Sequence, residues 1–233
     1  MNDRVQTYDS IAGYGQGISA QQRNKVLRNT YWLLALSMLP TVLGAWIGVT
    51  TGITTALGGG LGLVVFMGGA FGFMFAIEKT KNSAAGVPVL LAFTFFMGLM
   101  LSRLIAMVLG FKNGADLIMM AFGGTAGVFF VMASLSTVIK RDLSSMGKWL
   151  TVGAVVLMVA AIINVFVASS AGMLAISVLA IGIFSAFILY DLKRIIDGGE
   201  TNYISATLGL YLSIYNVFQS LLILLGFSGG SSD

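Results

Sequence analysis

Seven apolar runs, at 30–49, 56–77, 87–110, 116–139, 149–168, 172–192 and 203–226, take up most of the chain. Each is long enough to cross a hydrocarbon layer of about 30 Å, which takes about 20 helical residues. Inside hydrocarbon a backbone must close its hydrogen bonds within its own segment, so runs of this length fold as helices. The predicted fold is therefore all-α, a polytopic membrane protein of seven transmembrane helices spanning 30–227. A polar tail, 1–29, precedes them and a short tail, 228–233, follows. Connections are short, so consecutive spans are expected to be antiparallel neighbours in one domain. With 57% of its residues hydrophobic and 9% charged, a chain of 233 residues has lipid as its solvent.

Cation placement predicts the orientation. Arg4, Arg23, Lys25 and Arg28 precede the first span, Lys79 and Lys81 follow the second, Lys140, Arg141 and Lys148 follow the fourth, and Lys193 and Arg194 follow the sixth. The alternate connections hold only Lys112. Positive residues favour the cytoplasmic side, so the amino terminus is expected in the cytoplasm and the carboxyl terminus outside it. The first 29 residues are too long and too mixed for the charged start of a cleaved signal, so the first span is expected to remain as an anchor. Gly13, Gly15 and Gly17 suggest flexibility in the tail's first half, while 20–30 reads as helix leading into the membrane. Pro40 should kink the first span, whereas Pro88 falls near the start of the third, where proline costs little.

The last span is unusually polar. At about 100° per residue, Ser205, Gly209, Ser213, Asn216 and Ser220 share one stripe. Hydroxyls and an amide want protein neighbours where lipid offers no hydrogen bonds, so the last helix is expected to be central, with the others packed around it. Four glycine pairs, Gly44/Gly48, Gly58/Gly62, Gly68/Gly72 and Gly123/Gly127, are spaced by one turn and predict close helix packing. Gly209, Ser205, Ser220, Gly123 and Gly127 are the candidate packing residues.

Ionisable groups inside a span are functional candidates by default. Arg103 lies in the third span within snorkelling reach of the interface. Glu78 beside Lys79 reads as a solvated pair, and Asn164, Asn216 and Gln219 as interhelical hydrogen bonders. Asp191, near the end of the sixth span and just before Lys193 and Arg194, is a candidate proton- or cation-responsive carboxylate. Asp191, Ser213, Asn216 and Arg103 are the candidates for a pH-sensing or ion path. The chain has no histidine and no cysteine, which removes the usual general base and the commonest zinc and sulfur ligands. An intramembrane enzyme, a metal site and any cofactor are therefore not expected, and no basic cluster interleaved with aromatics points to nucleic acid.

Three segments match a known pattern. They are Tyr190-Asp191, then 195–204 (Ile-Ile-Asp-Gly-Gly-Glu-Thr-Asn-Tyr-Ile), then 210–218 (Leu-Tyr-Leu-Ser-Ile-Tyr-Asn-Val-Phe). They resemble the C-terminal signature of the Bax inhibitor family, and within it the bacterial YccA-like branch. Residues 25–31 and 123–126 extend the likeness, which runs from about 24 to 227. The resemblance implies a seven-helix bundle around the last helix, in the bacterial inner membrane. It also implies two functions: binding and restraint of the membrane protease FtsH, or a pH-sensitive leak of calcium coupled to protons. In leak-type members two aspartates share a proton. The first matches Asp191; the second falls on Ser213 here. Two close carboxylates hold one proton because both cannot ionise cheaply, and an aspartate with a serine does not reproduce that titration. Depth also separates them. From the expected helix ends, Asp191 and Ser213 differ by roughly 9 Å in height. A regulator of a membrane protease therefore ranks ahead of a leak centred on Asp191.

Overall fold

The computed structural model of the protein describes residues 19–54, 57 and 59–229. Its elements are α1 (Ala20–Thr51), α2 (Gly59–Thr80), α3 (Gly86–Leu109), α4 (Gly114–Val138), α5 (Ser144–Val167), α6 (Ser170–Ile196) and α7 (Tyr203–Gly229). All seven are long and apolar enough to cross a membrane. The glycine-bearing first half of the tail, Ala56 at the expected start of the second run, and residues 230–233 lie outside the described residues.

Helix ends follow local chemistry. The Ser19 hydroxyl accepts the Gln22 N–H while the Gln22 side chain reaches back to Ser19, a capping box that starts α1 ten residues before its apolar run. α1 then continues through Pro40 to Gly52, whose left-handed backbone (φ 64°) suits a residue without Cβ. The Ser169 hydroxyl takes the Gly172 N–H at the start of α6. Pro88 sits in the first turn of α3, where the helix has no bond to lose. One end of the bundle, the basic end, gathers the start of α1 and the α2–α3, α4–α5 and α6–α7 turns, and ten of the thirteen cations lie in or beside these segments.

α1 and α3 make the closest pair. A Cβ added at Gly44 would collide with the Phe95 carbonyl oxygen, one at Gly48 with the Ser102 side chain, and one at Gly98 with the Thr41 carbonyl. Close backbone approach of this kind supplies the dispersion contacts that hold helices together in lipid. A hydroxyl pair, Thr54 with Ser102 at 2.9 Å, closes the far end of the same seam.

α7 packs against α1, α2, α3, α4 and α6. Its most buried positions, Ile204, Leu210, Tyr211, Val217 and Leu222, fall on one side of the helix, and the other residues from Tyr203 to Gly226 are buried or half-buried, none of them exposed. α5 leans on α6 and exposes Trp149, Val156, Ile163 and Phe166 outward.

The glycine pairs do not act alike. Gly123 and Gly127 face open space, as do Gly68 and Gly72, with no atom within 4 Å of a Cβ placed there. The expectation that Gly123 and Gly127 pack helices is therefore corrected: α4 turns Ala121 and Thr125 inward, and it is Gly124 that meets Leu221 of α7. Gly62 lies beside the Leu57 carbonyl at its own helix start, and Gly58 is outside the described residues. Gly98, which has no glycine one turn away, carries no sequence signal, yet it is among the tightest contacts.

Gly98→Ala is expected to destabilise the protein by about 1–3 kcal/mol, because backbone, and not a movable side chain, occupies the space. Gly127→Ala is expected to be neutral or to stabilise by up to about 1 kcal/mol through helix propensity. Thermal unfolding of the two variants in one detergent separates them. Equal losses would mean that α1 and α3 do not meet at Gly98.

Candidate functional site

Inside the membrane the polar groups of α7 divide into two sets. The expected stripe bonds mainly to its own helix: the Ser213 hydroxyl donates to the Gly209 carbonyl at 3.0 Å, and Asn216 Nδ2 donates to the Leu212 carbonyl at 2.8 Å. Asn216 is thus not an interhelical bonder. Ser220 is buried, and the buried Ser205 hydroxyl finds no partner among the described residues. A second set, Thr207, Tyr211 and Tyr215, makes the bonds between helices. Thr207 Oγ1 reaches the Thr30 carbonyl at 3.4 Å, and Tyr211 Oη shares a hydrogen bond with Thr41 Oγ1 at 2.9 Å. Tyr211 and Tyr215 hydroxyls also donate to the Thr94 and Met97 carbonyls of α3, each at 3.4 Å. The spacing of four between 207, 211 and 215 was available in the sequence, but the aromatic rings disguised the row as plain core.

Among the described residues no hydrogen bond joins Asp191 to Ser213, whose hydroxyl is given to the Gly209 carbonyl. The Asp191 carboxylate lies over Gly209, where a Cβ would stand 3.0 Å from Oδ2, one turn nearer the basic end. Arg103 is exposed and donates to the Leu57 carbonyl in the α1–α2 connection at 3.4 Å, on the opposite end of the bundle from Asp191. Asp191, Ser213, Asn216 and Arg103 therefore do not converge on one site. Among the described residues no group of three or more acidic side chains could hold a metal ion.

The convergence lies instead at the basic end, in the turn 197–202. Gly198 (φ 83°) closes α6 in the left-handed region, and the Gly199 N–H returns to the Arg194 carbonyl at 2.8 Å. Glu200 then works from both oxygens: Oε2 takes Arg194 Nη2 at 2.7 Å, and Oε1 accepts the Thr201 and Asn202 N–H groups, both at 2.9 Å. Asn202 caps α7, its Oδ1 accepting the Ile204 and Ser205 N–H groups at 2.9 and 3.1 Å. Its Nδ2 donates to the Lys81 carbonyl at 3.1 Å and to Asn82 Oδ1 at 2.8 Å, tying the turn to the α2–α3 connection. Arg23 of α1 donates to the Ile196 carbonyl at 3.1 Å, placing a cation on the last carbonyl of α6. Lys193 pairs with Asp197 at 2.7 Å. The turn and the end of α6 thus tie α1, α7 and the α2–α3 connection together.

Beside this junction a groove of about 470 Å³ is lined by Asp142, Leu143, Ser144, Tyr190, Lys193, Arg194, Asp197 and Gly199. Asp142 accepts the Ser144 N–H at 2.8 Å and the Ser144 hydroxyl at 2.5 Å. These bonds, with Lys193 as a weaker influence, hold its carboxyl below the usual aspartate range. Glu78 pairs with Lys81, not with its neighbour Lys79, which sits over the Phe75 ring at 5.4 Å.

Comparison with known proteins matches residues 23–230 to the family model described as "Inhibitor of apoptosis-promoting Bax1". "Modulator of FtsH protease YccA" of Escherichia coli (strain K12) is 41% identical over 205 residues, covering 88% of this chain and 91% of that protein. A membrane protein of Vibrio cholerae is 38% identical over 206 residues, with 88% and 90% covered. An uncharacterized protein of Neisseria meningitidis serogroup B is 37% identical over 211 residues, with 89% and 93% covered.

Asn202→Ala removes a cap and two cross-connections, and is expected to cost about 1–2 kcal/mol in thermal unfolding. Ser144→Ala is expected to raise the Asp142 carboxyl towards its ordinary value, followed by carboxyl carbon shifts in an NMR titration. The sign is that of a depressed carboxylate: its favourable contribution is present above the unfolded value and fades as pH falls through the folded one. An unmoved titration would mean that Ser144 does not hold Asp142.

Proposed function

The chain belongs to the Bax inhibitor family, and from that premise we propose that it is an inner-membrane modulator of an FtsH-type protease, acting by binding it. The observation that carries this reading is the likeness to the Escherichia coli protein named as a modulator of FtsH, which spans nearly the full length of both chains. The distribution of polar groups supports it. Between the helices most hydroxyl and amide side chains are bonded to backbone or to one another, the Thr30 and Ser205 hydroxyls being exceptions, whereas the basic end presents the α1 extension, the braced 197–202 turn and an open groove. A partner that works on the cytoplasmic side would meet those features, given the orientation that places the cation-rich segments there, with the carboxyl terminus in the periplasm.

Modulation here means occupancy of the protease, not chemistry on a substrate. No histidine or cysteine is present to act as base or nucleophile. The leak alternative lacks its second carboxylate, since Ser213 is engaged with its own helix and Asp191 lies over Gly209.

Affinity purification of the full chain from native membranes is expected to bring down an FtsH-type protease. The chain's overexpression is expected to slow turnover of a membrane-protein substrate of that protease. Deletion of residues 2–18, which leaves the Ser19 cap intact, tests whether the tail is part of the contact: capture falls if it is and is unchanged if it is not. Absence of the protease from the purified material, with unaltered substrate turnover, would overturn the proposal. Orientation has its own check. An alkaline phosphatase fused after Asp233 is expected to be active, and an inactive fusion of normal abundance would reverse the topology.

A further inference from the structure

At the basic end five of the ten described cations are engaged within the protein. Lys193 has Asp197, Arg194 has Glu200, Lys81 has Glu78, Arg23 has the Ile196 carbonyl and Lys79 has the Phe75 ring. The α4–α5 connection departs from this pattern. Lys140, Arg141 and Lys148 are exposed, and none of them joins an ion pair among the described residues. The only acid between them, Asp142, has turned its carboxylate to the Ser144 N–H and hydroxyl. Three cations therefore stand within nine residues against a single carboxylate, which leaves the connection positive.

What adjoins them is equally specific. The groove of about 470 Å³ runs from Asp142, Leu143 and Ser144 of this connection to Tyr190, Lys193, Arg194 and Asp197 at the end of α6. The Lys193 side chain, 10% exposed, lies within its wall. Of the two acids of the groove, Asp197 is paired with Lys193, and the single charge of Asp142 is outnumbered by Lys140, Arg141 and Lys148 beside it. Immediately along α5 from Lys148, Trp149 is 77% exposed, followed on the outward side by Val152, Val156, Val159 and Ile163. An exposed tryptophan beside cations, at the end of a lipid-facing helix, marks the level of the headgroups. Phosphate at that level, cations beside it and an apolar wall beneath match the parts of one kind of molecule.

We propose that the corner formed by the α4–α5 connection and the end of α6 is a binding site for an anionic phospholipid. Lys140, Arg141 and Lys148 hold the phosphodiester at the rim of the groove, and the headgroup enters the groove. The acyl chains lie along Trp149, Val152 and Val156. A soluble phosphate would use the cations and leave the apolar wall idle. A zwitterionic choline lipid would bring a cation of its own against three others.

The test uses the full chain reconstituted in vesicles of equal phosphatidylglycerol and phosphatidylcholine, extracted into mild detergent and weighed by native mass spectrometry. The wild type is expected to retain phosphatidylglycerol in preference to phosphatidylcholine. A K140Q/R141Q/K148Q variant is expected to lose that retention by at least about tenfold, since each cation near an anionic surface contributes about fivefold in affinity. K140R/K148R, which keeps the charges, is expected to retain the lipid. K25Q/R28Q, which removes two cations from a separate groove at the start of α1, is expected to retain it as well. Retention of phosphatidylglycerol by the triple glutamine variant would overturn the site. So would equal retention of phosphatidylcholine by the wild type, or a loss in K25Q/R28Q as large as in the triple variant.

Discussion

Hydrocarbon offers a hydroxyl nothing to bond, so each polar group that α7 carries into the membrane must find its partner in protein. Thr207, Tyr211 and Tyr215 find theirs on α1 and α3, through Thr30, Thr41, Thr94 and Met97. Side-chain hydrogen bonds inside membranes contribute only about 0.6 kcal/mol each on average. Their main consequence is therefore register and orientation: they fix which face of α7 looks at which neighbour. Cohesion comes from close packing, above all where Gly44, Gly48 and Gly98 let α1 and α3 approach backbone to backbone. α7 then fits beside a pair that is already tight.

The sequence made the seven spans legible because length and hydropathy are set directly by bilayer thickness, and the helices fall within a few residues of the apolar runs at most boundaries. Capping chemistry explains the largest overrun: Ser19 and Gln22 start α1 well before the membrane. The small-residue signal was less selective. Spacing by four identifies glycines that share a helix face, but not whether that face meets protein or lipid, so Gly44/Gly48 and Gly123/Gly127 look alike in sequence and differ in place. Polarity misled in a related way. Serines on a helix can satisfy themselves on the preceding turn, as Ser213 does, whereas a tyrosine hydroxyl stands too far from its own backbone and must reach across.

The segment 197–202 belongs to the family signature, and nothing in its spacing alone discloses its physical role. In the fold it is a junction in which Glu200 and Asn202 satisfy backbone donors at one helix start and side chains from two other segments. That bracing gives the basic end a defined surface. It also separates two roles within one bundle. The core of α1, α3 and α7 sets the architecture. The outer α5 corner and the α1 extension are where lipid and a protein partner have chemistry to recognise.

The central claim is that α7 is enclosed by the other helices. Footprinting the unmodified chain in vesicles with a lipid-embedded photoactivated carbene, read by peptide mass spectrometry, tests it most directly. Enclosure predicts heavy labelling of α5, at Trp149, Val156 and Phe166, with residues 204–222 of α7 left almost unlabelled. Labelling along 204–222 as heavy as along α5 would place α7 at the lipid boundary and contradict the account.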